Sequence, residues 1–309
     1  MKKMYLNRNN FIVKDREKVD FLNKYYEFCY LESMHYYNLR QKTDTIITGL
    51  SYGINGLESK MIGENTLNFS MHSQDLYYDF LHIKRAIENS VSISQCIITL
   101  GYYSLYYDLS LSSSKIKCIT TYMPLFSDMH HVKEAEVPRN FIFQYLNEVQ
   151  EFAHQFFKDE KSYYGKAILR EHTNPILRSR GGWLKLTLEE RDKMTYQLVE
   201  KHNKHMKHAE TFKENVKILN DMMTFLNEHH VRTIVVVLPF SKEYLKYINP
   251  LYKESIMQVL EESPYPIDFM DMNDEIIFTE EDILDSDHLN LRGAKKASLL
   301  VKGIIENVL

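Results

Sequence analysis

The spacing of apolar and polar positions switches period several times along the chain. Between residues 12 and 40, apolar side chains such as Val19, Leu22, Tyr25, Tyr26 and Cys29 recur at mixed spacings of three and four. That is the period of a helix with one buried face. The run Thr45-Ile46-Ile47-Thr48-Gly49-Leu50 is short, β-branched and closed by a glycine turn, which predicts a buried strand. Residues Thr66–Ser70 predict a second strand. Residues Gln74–Glu88 predict a helix with Leu76, Phe80, Ile83 and Ile87 on one face. Cys96–Leu100 is a third strand of buried type, ended by Gly101. Strands that alternate with amphipathic helices predict a parallel sheet covered on both faces.

The middle of the chain reads differently. From Arg139 to His230 the pattern gives long amphipathic segments, Phe141–Phe157, Leu188–Lys201 and Ala209–Glu228, and no strand. Thr187, followed by Glu189 and Glu190, has the form of a helix start. The stretch Asn174–Trp183, with Pro175 and Gly181-Gly182, reads as a loop. Strand character resumes at Thr233–Leu238 and stops at Pro239. A helix over Pro250–Glu262, a short strand at Ile267–Phe269 and a closing helix over Gly293–Val308 complete the series. The expected architecture is a three-layer α/β/α domain spanning 1–309. It carries an N-terminal helical extension (1–40) and a helical insertion (139–230). No internal repeat or low-complexity segment is visible.

Composition narrows the function classes. Of 309 residues, 44% are hydrophobic and 26% charged, with only 10 Gly and 7 Pro, so disordered and collagen-like chains are excluded. The balance of 38 Lys+Arg against 42 Asp+Glu leaves −4, without the global basic field that nucleic-acid binding calls for. Cys29, Cys96 and Cys118 are odd in number and lack CxxC spacing, which argues against a disulfide framework or a thiolate zinc site. Residues 1–20 are interrupted by Lys2, Lys3, Arg8, Lys14 and Arg16, unlike a secretory signal. No apolar run approaches the roughly 20 residues of a membrane span. A cytoplasmic protein is expected, with no nucleic-acid partner and no membrane span. Walker, GxGxxG, HExxH and EF-hand patterns are absent, so neither cofactor nor metal is implied.

Two short segments carry candidate chemistry. Ser51, in Gly49-Leu50-Ser51-Tyr52-Gly53, lies just past the first buried strand, where open parallel sheets bind ligands. A serine at a helix N-terminus there presents its hydroxyl beside N–H groups that favour developing negative charge. Downstream, Asp285-Ser286-Asp287-His288-Leu289-Asn290 sets a histidine three residues after an aspartate, in a loop before the last helix. Such a carboxylate can orient the imidazole and stabilise its protonated form.

Together the two segments resemble the SGNH (GDSL-like) hydrolase family, over roughly residues 45–125 and 230–309, with Gly293-Ala294 and Pro239 as further points of likeness. The likeness is to the divergent acyltransferase-like branch associated with bacterial surface-polysaccharide modification. It implies a flavodoxin-like sheet, Ser51 as nucleophile, His288 as base and Asp285 as orienting acid, with Asp287 the competing candidate for the last role. It also implies a serine esterase or O-acyltransferase acting on an acylated carbohydrate or small ester. The alternative is an inactive SGNH-like carbohydrate-binding module or an assembly protein. The chain departs from the family at two blocks. The loop that normally supplies a glycine N–H reads Met71-His72-Ser73-Gln74-Asp75, and the Gly-x-Asn-Asp block reads Gly101-Tyr102-Tyr103-Ser104. Replacement oxyanion donors are then the backbone N–H groups of Ser51 and Ser73, with the Gln74 amide or the Tyr103 hydroxyl.

Three further features read as structural. His202, His205 and His208 recur every third residue and predict a solvated helix face. The pairs His130-His131 and His229-His230 predict loops with diverging side chains. The tyrosine pairs 77-78, 102-103 and 106-107 are core candidates, with a platform against a sugar ring as the other reading.

Overall fold

The computed structural model describes residues 27, 28, 30–133, 135 and 182–306. The segment Phe141–Phe157, Cys29 and most of the first expected helix lie outside the described residues. Five strands form one parallel sheet: β1 (Thr45–Gly49), β2 (Thr66–Asn68), β3 (Gln95–Leu100), β4 (Arg232–Val237) and β5 (Ile267–Asp271). Their spatial order is β2-β1-β3-β4-β5, the flavodoxin-like order. Ile47 of β1 lies level with Asn68 and Ile97, and Val235 of β4 with Ile98 and Phe269. Strands β1, β3 and β4 are buried almost throughout, which is why they read as unbroken apolar runs; β5, at an edge, is half-exposed until Asp271.

Helices cover both faces, giving three layers. The helices that matter for the site are α1 (Ser51–Gly56), α2 (Leu76–Glu88), α3 (Leu188–Asn203), α4 (Ala209–Glu228), α5 (Leu251–Glu261) and α6 (Leu291–Glu306). On one face α2 packs on β1 and on α4, which also touches β4. Residues 30–38 are helical and join this layer, Asn38 donating to the Ala86 carbonyl at 2.8 Å. On the other face α6 packs on α1 and on the short helix Ser59–Ile62. Burial of Leu76, Ile83, Leu219, Met222, Ala297 and Val301 supplies the apolar contact that holds these layers.

Within the described part of the middle segment, α3 begins where the sequence puts it. The Thr187 hydroxyl accepts from the Glu190 N–H while the Glu190 carboxylate accepts from the Thr187 N–H, a reciprocal cap. Helix α4 packs on β4 and on the turn Ser104–Tyr106, and α3 lies against residues Lys242–Tyr247 beyond the end of β4. No described helix is long and apolar enough to cross a membrane.

Candidate functional site

The strand order reverses between β1 and β3, and the chain leaves β1 there into Ser51. Gly49 makes that exit with φ of 136°, and a Cβ there would collide with Thr99 of the neighbouring strand. The turn sets Ser51 at the first position of α1, half-buried. Its N–H is one of the orphan donors of a helix start, and among the described residues neither it nor the Ser73 N–H is taken by a turn or cap bond.

The histidine arrives from the other end of the sequence. Residues 283–289 close on themselves through an antiparallel bridge between Ile283 and Leu289 and a bond from the Leu284 N–H to the His288 carbonyl. Two outside contacts pin that loop: the Ser241 N–H donates to the Ser286 carbonyl at 3.1 Å, and the Ser286 hydroxyl pairs with Thr195 of α3 at 2.8 Å. Asn290 caps α6 by accepting from the Gly293 N–H and ties back through its amide to the carbonyls of Glu281 and Ile283.

These supports bring the three sequence candidates together. His288 Nε2 lies 2.8 Å from Ser51 Oγ, and its Nδ1 lies 3.0 Å from Asp285 Oδ1. Asp285 Oδ1 also accepts from the N–H groups of Asp287 and His288, so the turn itself aims the carboxylate. Asp287 also reaches the ring: its Oδ1 is 3.2 Å from Nδ1, although the expectation was that adjacency would make pairing harder. The two carboxylates differ in setting, Asp285 being half-exposed and Asp287 buried.

Tyr52, missed by sequence reasoning, donates from its hydroxyl to Asp287 Oδ2 at 3.0 Å and sets its ring 5.4 Å from that of His288. Its one available signal was adjacency to Ser51. Burial opposes charge on His288, yet the Asp287 charge and the Asp285 hydrogen bond outweigh it and raise its pKa well above the usual 6.5. Burial likewise opposes ionisation of Asp287, but the His288 charge beside it holds that carboxyl far below the ordinary range. His72 is pushed down to about 4 by burial and, second, by the charge of His288.

The expected oxyanion donors fare differently. Ser73 adopts φ of 63° and lines the same cavity as Ser51. Tyr103 lines it too, its hydroxyl 3.4 Å from that of Tyr52. Gln74 corrects the expectation: its side chain is fully buried and turned away from the cavity. Its amide donates to Asp79 Oδ1 at 2.6 Å and to the Phe69 carbonyl at 3.0 Å, and its oxygen accepts from the Tyr122 hydroxyl. No hydrogen is left for a substrate. The left-handed turn at Ser73 redirects the chain, so the next side chain enters the core.

The cavity beside Ser51 has a volume of about 440 Å³. His202, His205 and His208 line it, where a solvated face was expected. His202 pairs with the Tyr244 hydroxyl at 2.8 Å, and its ring lies 4.3 Å from that of Tyr103. Of the tyrosine pairs, Tyr103 and Tyr107 face the cavity, whereas Tyr78 is buried in the core. A larger cavity of about 620 Å³, near Tyr102 and Lys253, contains no serine, cysteine or histidine.

No family model matches the sequence, and no curated protein does. Solved structures similar to the chain include one described as "a putative platelet activating factor from Streptococcus pneumonia". The TM-score is 0.46 and the identity 10%, over 94% of this chain and 97% of that one.

Among the described residues, two His/carboxylate clusters could place ligand atoms around one ion: Asp285–Asp287–His288, and Asp108–His130–His131. In the second, His130 and His131 do not diverge as expected but stack, centroids 3.9 Å apart and 21° from parallel. Near-parallel rings aim their lone pairs side by side rather than at a common point, which suits coordination poorly. Their Nδ1 edges face Asp108, at 3.9 and 2.8 Å, and their Nε2 edges face Glu214, at 3.5 and 3.1 Å. Burial and the neighbouring His131 lower the His130 pKa. That of His131 is raised by Asp108 against burial.

Proposed function

We propose that the protein is a serine-dependent ester hydrolase or O-acyltransferase of SGNH type, with Ser51 as nucleophile and His288 as general base. The carrying observation is the 2.8 Å contact between Ser51 Oγ and His288 Nε2, backed by two carboxylates on Nδ1. Ser51 Oγ attacks the ester carbonyl carbon while Nε2 takes the hydroxyl proton. The carbonyl oxygen becomes an oxyanion at the start of α1, within reach of the Ser51 and Ser73 N–H groups. Collapse releases the alcohol, which takes its proton from the imidazolium, and leaves an acyl-serine. Water or a sugar hydroxyl then attacks, with His288 again accepting the proton. Donors at the oxyanion are mostly backbone, since Gln74 is committed elsewhere; Tyr103 is the side-chain candidate. An acylated carbohydrate is the substrate that the family likeness favours, as a step in surface-glycan modification.

A fluorophosphonate probe tests the reading. Ser51 is the expected labelled residue, and Ser51→Ala should lose labelling and lose p-nitrophenyl acetate cleavage by about 1,000-fold or more. Equal rates for wild type and Ser51→Ala on aryl esters, with no labelling, overturn the enzymatic reading in favour of a binding module.

A further inference from the structure

Part of the lining of the Ser51 cavity is basic. Lys201, Lys204 and Lys207 line it, the last two on the 3₁₀ turn Lys204–Lys207 that follows α3. In a 3₁₀ turn side chains three apart eclipse, so Lys204 and Lys207 stack along one edge, with Lys201 on the last turn of α3 before them. No carboxylate and no arginine lines this cavity. None of the three lysines has an ion-pair partner among the described residues, although Lys213, Lys217, Lys246 and Lys253 all do. The nearest acids in sequence, Glu200 and Glu210, are not in the wall, and Glu210 is held by Lys213. The hydroxyl-bearing residues Ser112, Ser113 and Ser114 line the same cavity; the Ser112 hydroxyl donates to the Leu109 carbonyl at 2.8 Å, and the Ser114 hydroxyl accepts from Ser73 at 3.4 Å.

Like charges gathered in a concave wall repel one another and focus a positive potential into the cleft. The chain as a whole carries −4, so this potential is local rather than a property of the surface at large. The planar fork of arginine suits carboxylate and phosphate alike. Ammonium point charges combined with hydroxyl donors suit the tetrahedral oxygens of phosphate. We propose that the substrate presented to Ser51 bears a phosphate, held by Lys201, Lys204 and Lys207 with the Ser113 and Ser114 hydroxyls, while its ester faces the nucleophile. A phosphorylated or diphosphate-linked carbohydrate ester has that chemistry. The proposal deepens the assignment of Ser51 as nucleophile and rests on it for the placement of the ester, though not for the anion site.

Calorimetry with Ser51→Ala and inorganic pyrophosphate tests the anion site without any turnover. Pyrophosphate should bind, and should bind roughly tenfold or more tightly than malonate at low salt. The triple variant Lys201→Ala/Lys204→Ala/Lys207→Ala should weaken pyrophosphate at least tenfold with its circular dichroism unchanged, and the triple arginine variant should retain binding. Pyrophosphate binding no tighter than malonate, or undiminished in the folded triple alanine variant, overturns the proposal. So does lysine-dependent binding to phosphatidylglycerol vesicles without binding of pyrophosphate. In wild type, pyrophosphate should also inhibit p-nitrophenyl acetate cleavage competitively. If aryl-ester cleavage depends on Ser51 but pyrophosphate neither binds nor inhibits, the phosphate assignment fails alone. If pyrophosphate binds through the lysines but Ser51 is inert, the nucleophile reading fails alone.

Discussion

His288 has two carboxylates on one nitrogen, in unequal settings. An imidazole must be neutral to accept the Ser51 proton, and both acids favour its charged form. The acidic limb of kcat/KM should therefore have its midpoint above the ordinary histidine value of 6.5, activity rising as pH rises through it. Asp287 is buried and receives the Tyr52 hydroxyl, whereas Asp285 is half-exposed and screened by solvent. Asp287→Asn should move that midpoint down further than Asp285→Asn does, as read from pH profiles on one ester. A larger shift from Asp285→Asn would assign the orienting role to the exposed acid. Gln74 makes a contrasting case. Gln74→Ala strips a partner from Asp79, the Phe69 carbonyl and Tyr122 in the core. It should lower stability by about 1–3 kcal/mol in denaturant titrations while leaving kcat of the folded enzyme within a few-fold.

The elements around the site were legible to different depths. β1, β3 and β4 announced themselves because strands buried on both faces must be apolar without interruption, and α3 because its capping box is a local sequence signal. Thr187→Ala should cost about 1 kcal/mol in unfolding free energy for that reason. What α3 and α4 hold could not be read in the same way, because their partners lie far away in sequence. Asn215 of α4 is buried and donates to the carbonyls of Ser104, Leu105 and Tyr107, at 3.3, 3.2 and 2.9 Å. It thereby fixes the turn bearing the cavity tyrosines. Asn215→Leu should destabilise by roughly 1–3 kcal/mol and raise KM more than it lowers kcat, as steady-state kinetics would show. Side-chain direction was the hidden quantity. Ser73 and His130 both take positive φ, and at each the next side chain lands where alternation would not put it.

Across the whole molecule, acids buried beneath the sheet's carboxyl edge tie stability to pH. Asp79 is fully buried, and burial pushes its carboxyl up to about 7 against hydrogen bonds from Thr48 and Gln74. Its folded pKa is raised above the unfolded 3.8. The stability it confers is therefore complete below pH 3.8 and is lost as pH rises toward 7. Asp79→Asn should close the gap to wild type, or overtake it, as melting temperatures are compared from pH 5 to pH 8; a constant difference would refute the buried-proton account. The motifs at Ser51 and His288 were readable because each is compact in sequence. The contact between them was not, because 237 residues separate them. A ribosome adding roughly 5–20 residues per second needs about 12–47 seconds to pass from one to the other. On the proposed reading, the emerging chain carries through that interval a serine hydroxyl with no base to activate it, and a polypeptide broken off before residue 288 would be inert. The proposed reactivity would thus be switched on by the docking of the last loop and helix, after the sheet that supports Ser51 has been synthesised.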